Sequence, residues 1–263
     1  MDYLVADRAL PGYDVHLGAF MFSGFYKSEF SVDEKVGRSV TFIKNGVLLG
    51  GNSVFSHVGT YKDDGEEVRM DLTSRRHLND KAQQSLLGAD VSYISLTGTA
   101  EGSAYRFEGS SPQMPGAIIR SLVTPLNDVE MPQPGIVTED GIPNGLYSIH
   151  FELLDGLTGG LTGVALLSDG QILGGDAYFF YLGSYSSSNG RWRGEILSQE
   201  HTVSHGQGFP FGRQEVGIGF SGVFGEGAAQ LSAVALSGKQ SVRLEAKLKL
   251  IEPAQNYTER RTA

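Results

Sequence analysis

The sequence predicts an all-β protein built as two tandem small antiparallel up-and-down β-barrels of about eight strands each. Three observations carry that expectation. The chain repeats itself at an offset near 124 residues. Paired turn residues stand between apolar, β-favouring runs in both copies. Glycine supplies thirty-six of 263 residues, about twice the usual ~7%, without the three-residue period of a collagen.

The repeat sets the organisation. Gly24-Phe25-Tyr26 answers Gly145-Leu146-Tyr147, and Val47-Leu48-Leu49-Gly50-Gly51-Asn52 answers Gln171-Ile172-Leu173-Gly174-Gly175-Asp176. Gly59-Thr60-Tyr61 then matches Gly183-Ser184-Tyr185, His77 falls opposite His201, and Leu122-Val123-Thr124-Pro125 matches Leu250-Ile251-Glu252-Pro253. The first unit is placed at residues 1–126, with 1–23 as an extension that has no counterpart. A polar, proline-containing linker follows at 127–140, the second unit at 141–255 and a polar tail at 256–263.

Each copy reads as a meander of hairpins. Asn45-Gly46 and Asp169-Gly170 are type I′ turn pairs, because both central positions of that turn need positive φ. Asp64-Gly65 and Asn189-Gly190 mark a second turn in each copy. Val242, Leu244, Ala246, Leu248 and Leu250 alternate with polar residues, the period of a strand with one buried face. The Gly50-Gly51 and Gly174-Gly175 pairs read as bends where a sheet curls. Val15 to Phe22 is read as an extra strand, and Asn79 to Leu87, stopped by Gly88, as the one short helix. Sequential hairpins with glycine bends favour closure into a barrel, which removes exposed edges.

Composition narrows the chemistry. With no cysteine, disulfides, thiolate metal sites and a cysteine nucleophile are excluded. The net charge of −9, with no dense basic cluster, argues against direct nucleic-acid binding. The apolar run around Leu17 to Phe22 is too short to span a bilayer. The start lacks a basic and apolar leader, so the expectation is a cytoplasmic protein with no membrane span.

Candidate sites are few. His201 and His205 are four apart, a ligand spacing on a helix, but the glycines that follow argue for a loop, and no metal or other cofactor is expected. Gly222-Val223-Phe224-Gly225-Glu226-Gly227 reads as a hairpin turn, since no helix follows to cradle a phosphate. Tyr178-Phe179-Phe180-Tyr181 reads as a strand buried on both sides. Trp192 by itself indicates nothing. No nucleophile–base or paired-acid constellation emerges, so no enzyme is expected. Asp63, Asp64, Glu66 and Glu67 crowd four carboxylates at one hairpin tip, where a basic partner would be attracted. The second copy has Ser186-Ser187-Ser188-Asn189 there instead.

These residues resemble the GrlR family of small β-barrel negative regulators of type III secretion genes. The resemblance rests on Gly145-Leu146-Tyr147-Ser148-Ile149-His150-Phe151, Gly174-Gly175-Asp176, Tyr181-Leu182-Gly183 and Leu250-Ile251-Glu252-Pro253, with a looser first copy. It implies a lipocalin-like barrel with an apolar interior. It also implies repression by binding a basic transcriptional activator protein, not DNA, through an acidic motif corresponding to Asp63, Asp64, Glu66 and Glu67. Gly65 interrupts that run here. The tandem would replace the family's homodimer by a pseudo-dimer within one chain, able to dimerise further.

The expected function is thus a non-enzymatic negative regulator of transcription acting through the acidic tip. The rival is a small-molecule or lipid carrier, or a sensor of such a ligand, with Val164, Leu166, Leu244 and Leu248 read from strand alternation as interior contacts for an apolar ligand.

Overall fold

The computed structural model describes residues 22–79, 83–126, 130–154, 160–204, 215–237 and 239–254. Eight strands close the first barrel: β1 (Gly24–Val32), β2 (Lys35–Lys44), β3 (Val47–Gly51), β4 (Phe55–Asp63), β5 (Val68–Arg76), β6 (Val91–Glu101), β7 (Ala104–Ser110) and β8 (Ile119–Pro125). Eight more close the second: β9 (Gly145–Leu153), β10 (Gly160–Ser168), β11 (Gln171–Gly175), β12 (Phe179–Ser188), β13 (Arg191–Glu200), β14 (Val216–Gly225), β15 (Ala228–Ser237) and β16 (Gln240–Pro253). Within each barrel every strand pairs antiparallel with its sequence neighbours, and β1 with β8, like β9 with β16, completes the wall.

The turn chemistry explains the register. Asn45 and Gly46 have φ of 55° and 81°, Asp169 and Gly170 47° and 86°, and Asn189 and Gly190 51° and 71°, the doubly positive pairs that a tight hairpin requires. The Asp64-Gly65 turn is longer than expected: Asp63 pairs with Val68, so four residues close it. The duplicate copies keep one register, with Leu48 opposite Gly59 and Ile172 opposite Gly183.

Two other expectations meet the structure differently. The described part of the 79–87 segment is not helical: residues 83–87 run as bends and turns, fixed by the Gly88 amide donating to the Ser85 carbonyl at 3.2 Å and the Leu87 amide to Ser85 Oγ at 3.2 Å. Leu86 and Leu87 pack onto the interior of barrel one, so the segment caps the barrel end instead of forming a separate helix. Of the extra strand expected at 15–22, all but Phe22 lies outside the described residues, and Phe22 is in a bend, fully buried.

The barrels pack through an apolar seam. Phe25, Val40 and Leu49 of barrel one meet Leu146, Val164, Leu166, Leu173, Phe180 and Leu182 of barrel two, with Phe42 and Val58 at the margin. Strand β3 lies on β10 and β11 lies on β2, so the two halves exchange equivalent surfaces, the mark of a pseudo-two-fold interface. The Gly-Gly pairs sit at this seam. A Cβ on Gly51 would come within 2.9 Å of Val164 Cγ1, and one on Gly175 within 2.9 Å of Val40 Cγ2. Their φ of 154° and 156° also disfavours any side chain. The seam corrects one expectation: Val164 and Leu166 point out of barrel two into its neighbour, not into its interior, while Leu244 and Leu248 do point inward. Alternation alone divides a strand into two faces, and here both faces of β10 are buried, so pattern could not say which faced the lumen.

The polar stretch between the barrels is tied down along its second half. The Thr138 amide donates to the Ser187 carbonyl at 3.1 Å, the Ser187 amide to the Ile136 carbonyl at 2.9 Å, and the Ile142 amide to Ser187 Oγ at 3.1 Å. The serine-rich tip of barrel two thus serves as the dock for this connection.

Candidate functional site

The interiors of the two barrels differ. The described core of barrel two interleaves large and small side chains: Tyr147, Phe151, Tyr181, Trp192 and Phe220 stand among Ala165, Ala233, Ala235 and Ala246, the pattern that fills a small barrel. Trp192 is anchored by its Nε1–H donating to the Gln230 carbonyl at 3.0 Å and stacks edge-on to Tyr185 and Phe220. In the Tyr178–Tyr181 run, Phe179 and Tyr181 point into this core and Phe180 into the seam, so the strand is buried on both faces as expected.

Barrel one keeps open space. One end is stoppered by Phe22, which contacts the rings of Tyr26, Tyr61, Tyr105 and Phe107 with centroids 4.6–5.5 Å away. Above this plug lies an inner chamber of about 70 Å³, walled by aliphatic residues including Ile43, Met70, Leu96 and Val123, with Ser28, Ser39, Thr41, His57 and Ser121 among them. An outer chamber of about 390 Å³ continues toward residues 83–87 and is closed on one side by Ala177 and Tyr178 of barrel two. Phe30, His57, Ile94 and Ile119 line both chambers and form the neck between them.

The repeat shows how the two linings differ: Ser28 and His57 are smaller than the residues they answer, while Ser39, Thr41 and Ser121 are larger and more polar than theirs. Strand pairing makes Ile149 the counterpart of Ser28, Gly163 of Ser39, Ala165 of Thr41 and Ala246 of Ser121. His57 stands where barrel two has Tyr181, 124 residues on. Tyr181 donates to Asp176 Oδ2 at 2.9 Å, and Asp176 Oδ1 accepts the Tyr178 and Phe179 amides at 2.7 and 2.8 Å. Burial pushes both the Asp176 carboxyl and the Tyr181 hydroxyl up. In barrel one Asn52 replaces the aspartate, and its side chain serves the backbone: Oδ1 accepts the Val54 and Phe55 amides, and Nδ2 donates to the Arg38 carbonyl. His57 is left with neither ring nitrogen hydrogen-bonded, though it is only 8% exposed. Burial, with His77 nearby, pushes its imidazole down to about 4. The same interior row continues through Ser74 to Ser92, whose hydroxyl is also buried without a partner. No sequence signal singled out His57, because its meaning depends on closure of the barrel around it.

The acidic tip is largely occupied by its own turn. Asp63 Oδ2 accepts the Phe22 amide and Oδ1 the Gly65 amide, both at 2.9 Å. Asp64 Oδ1 accepts the Glu67 and Glu66 amides at 2.8 and 3.1 Å, which hold its carboxyl below the ordinary value. Glu67 pairs with Arg69 at 2.6 Å. Asp64 and Glu66 are exposed; the structure brings the four carboxylates to one tip but spends three of them locally.

His201 contacts Thr202 Oγ1 through Nδ1 at 2.9 Å and the Asp176 carbonyl through Nε2 at 3.4 Å, and burial pushes it down to about 4. His205 lies outside the described residues. Glu226-Gly227 turns the β14–β15 hairpin, so the glycine-rich segment there is the turn it was read as. Among the described residues no helix is long and apolar enough to cross a membrane.

No protein-family model matches this sequence, and no curated protein matches it. A solved structure from Bacteroides fragilis NCTC 9343, described as a "putative outer membrane protein", is similar at 12% identity and a TM-score of 0.27, over 88% of this chain and 98% of that one.

Proposed function

We propose that this chain is a non-enzymatic binding protein whose first barrel holds a small, mainly apolar ligand, while the second is a filled structural copy. One observation supports the reading above the others: the interior positions that are Ile149, Ala165, Tyr181 and Ala246 in barrel two carry Ser28, Thr41, His57 and Ser121 around a chamber in barrel one. The same fold interleaves large and small side chains in the described core of barrel two and leaves a chamber in barrel one, which supports reading the chamber as more than a demand of the fold. Eight-stranded barrels are just wide enough to hold one small ligand; barrel two also buries the Tyr185 and Ser198 hydroxyls without partners, but in barrel one the unpartnered His57 ring borders a chamber. Native mass spectrometry of freshly purified protein tests this. Wild type should carry a small-molecule mass excess lost on denaturation, and Ser28→Ile, which restores the residue of barrel two, should not. A protein without bound mass that takes up no apolar probe would remove the reading.

The second reading, regulation through the acidic tip, is supported by the exposure of Asp64 and Glu66. It predicts salt-sensitive capture of a basic transcriptional activator that is lost when Asp63, Asp64, Glu66 and Glu67 are all neutralised. A partner still retained by that neutralised variant would exclude the tip.

A further inference from the structure

We infer that the ligand of barrel one is an uncharged molecule with a short unbranched apolar tail and a hydroxyl group, the hydroxyl seated against His57 at the neck between the chambers. The inference rests on the container reading above and adds the chemistry of the guest.

Three features of the chamber lead to it. First, His57 is more than nine-tenths buried, faces both chambers and has two ring nitrogens without partners. A neutral imidazole presents one N–H donor and one acceptor nitrogen, and a hydroxyl can answer either. Thr41 and His57 flank Gly50 as its partners on the two sides, so a guest hydroxyl at this level also has the Thr41 hydroxyl in the same row.

Second, the inner wall contains no Lys, Arg, Asp or Glu. A carboxylate or ammonium taken there would lose its hydration with no opposite charge to replace it. Arg38 lines the outer chamber, where its Nε is paired with Glu29 at 2.9 Å, so an acid there would share the guanidinium with a carboxylate already present.

Third, the dimensions set the shape. The inner space of about 70 Å³ ends on the ring of Phe22 and is too small for a fused-ring guest. By the same measure it takes a linear tail of only a few carbons, and any longer or larger portion must lie in the outer chamber of about 390 Å³, against Gln83, Gln84 and Tyr178.

Calorimetric titration of the full chain with 1-hexanol, 1-fluorohexane and hexanoate at neutral pH tests the inference, since the three share a tail and differ at the head. Wild type should bind 1-hexanol at least about tenfold more tightly than 1-fluorohexane, about 1.4 kcal/mol, and hexanoate more weakly still. Binding of 1-hexanol should shift the ¹⁵N resonances of the His57 ring. His57→Gln, which keeps a donor and an acceptor, should retain the preference, and His57→Phe should abolish it while still binding 1-fluorohexane. Equal affinity for 1-hexanol and 1-fluorohexane would overturn the inference and leave the container reading standing. Tightest binding of hexanoate would also overturn it. Binding of none of the three would overturn both.

Discussion

The Tyr181 hydroxyl donates to the Asp176 carboxylate at 2.9 Å inside barrel two, and this bond is what barrel one lacks where His57 and Asn52 stand. The pair closes a buried network in which the Tyr178 and Phe179 amides satisfy the other carboxylate oxygen. Removing the hydroxyl leaves a buried carboxylate oxygen without its donor, so Tyr181→Phe should destabilise the fold by about 1–3 kcal/mol, read from urea unfolding. Because burial already raises the Asp176 carboxyl, its ionisation opposes folding. Its contribution to stability therefore falls as pH rises from the ordinary aspartate value through the raised one. The deficit of the variant should be larger at neutral than at acid pH.

Grafting that network should close the open barrel. The double change His57→Tyr and Asn52→Asp reproduces the residues of barrel two at both positions. Ser28→Ile fills the inner chamber from the opposite wall and should raise stability by about 1 kcal/mol, the usual gain for filling a cavity. Both variants should lose binding of apolar probes. A variant that folds and still binds as wild type would place the guest elsewhere.

Acid should unfold this protein earlier than its carboxylates alone would require. Burial pushes His57 and His201 down to about 4, and lowers His77 as well, against an unfolded value of ~6.5. The unfolded chain therefore takes up protons that the folded chain refuses. The associated stability is fully present above the unfolded value and is lost as pH falls from there toward 4. For His57 and His201 it is on the order of 3 kcal/mol each. Urea midpoints recorded across this window should drop steeply for wild type and less steeply for His57→Gln.

At the seam, Leu166 separates a packing role from a ligand role. Its side chain is buried between the barrels, so Leu166→Ala should cost about 2–4 kcal/mol and leave probe binding in barrel one unchanged. Leu166→Glu places a charge in the seam and should split thermal unfolding into two transitions by calorimetry. A single unaltered transition would show that the seam does not couple the barrels.

The tip carboxylates should divide by their contacts. Asp64 accepts two amides of its own turn and Asp63 ties down Phe22, so alanine at either should lower the denaturation midpoint. Glu66 makes no comparable bond, and Glu66→Gln should fall within about 0.5 kcal/mol of wild type. These shifts are read from chemical denaturation.

Duplication, hairpins and the antiparallel closure of each copy are legible in the residues alone. Those features are written in local chemistry: paired positive-φ residues such as Asn45-Gly46 and Asp169-Gly170 set register without reference to anything distant. Alternation in β16 likewise showed Leu244 and Leu248 on a buried face. Tertiary structure decided the rest. Val164 and Leu166 could not be assigned to lumen or seam, because both faces of β10 are covered and only the position of barrel one distinguishes them. The Gly-Gly pairs read as bends, yet a side chain on Gly51 or Gly175 would meet the Phe55 or Phe179 carbonyl of its own barrel and also the Val164 or Val40 methyl of the other. His57 carried no motif. Its interest lies in what it does not touch, and an unpartnered group appears only once eight strands have closed around it.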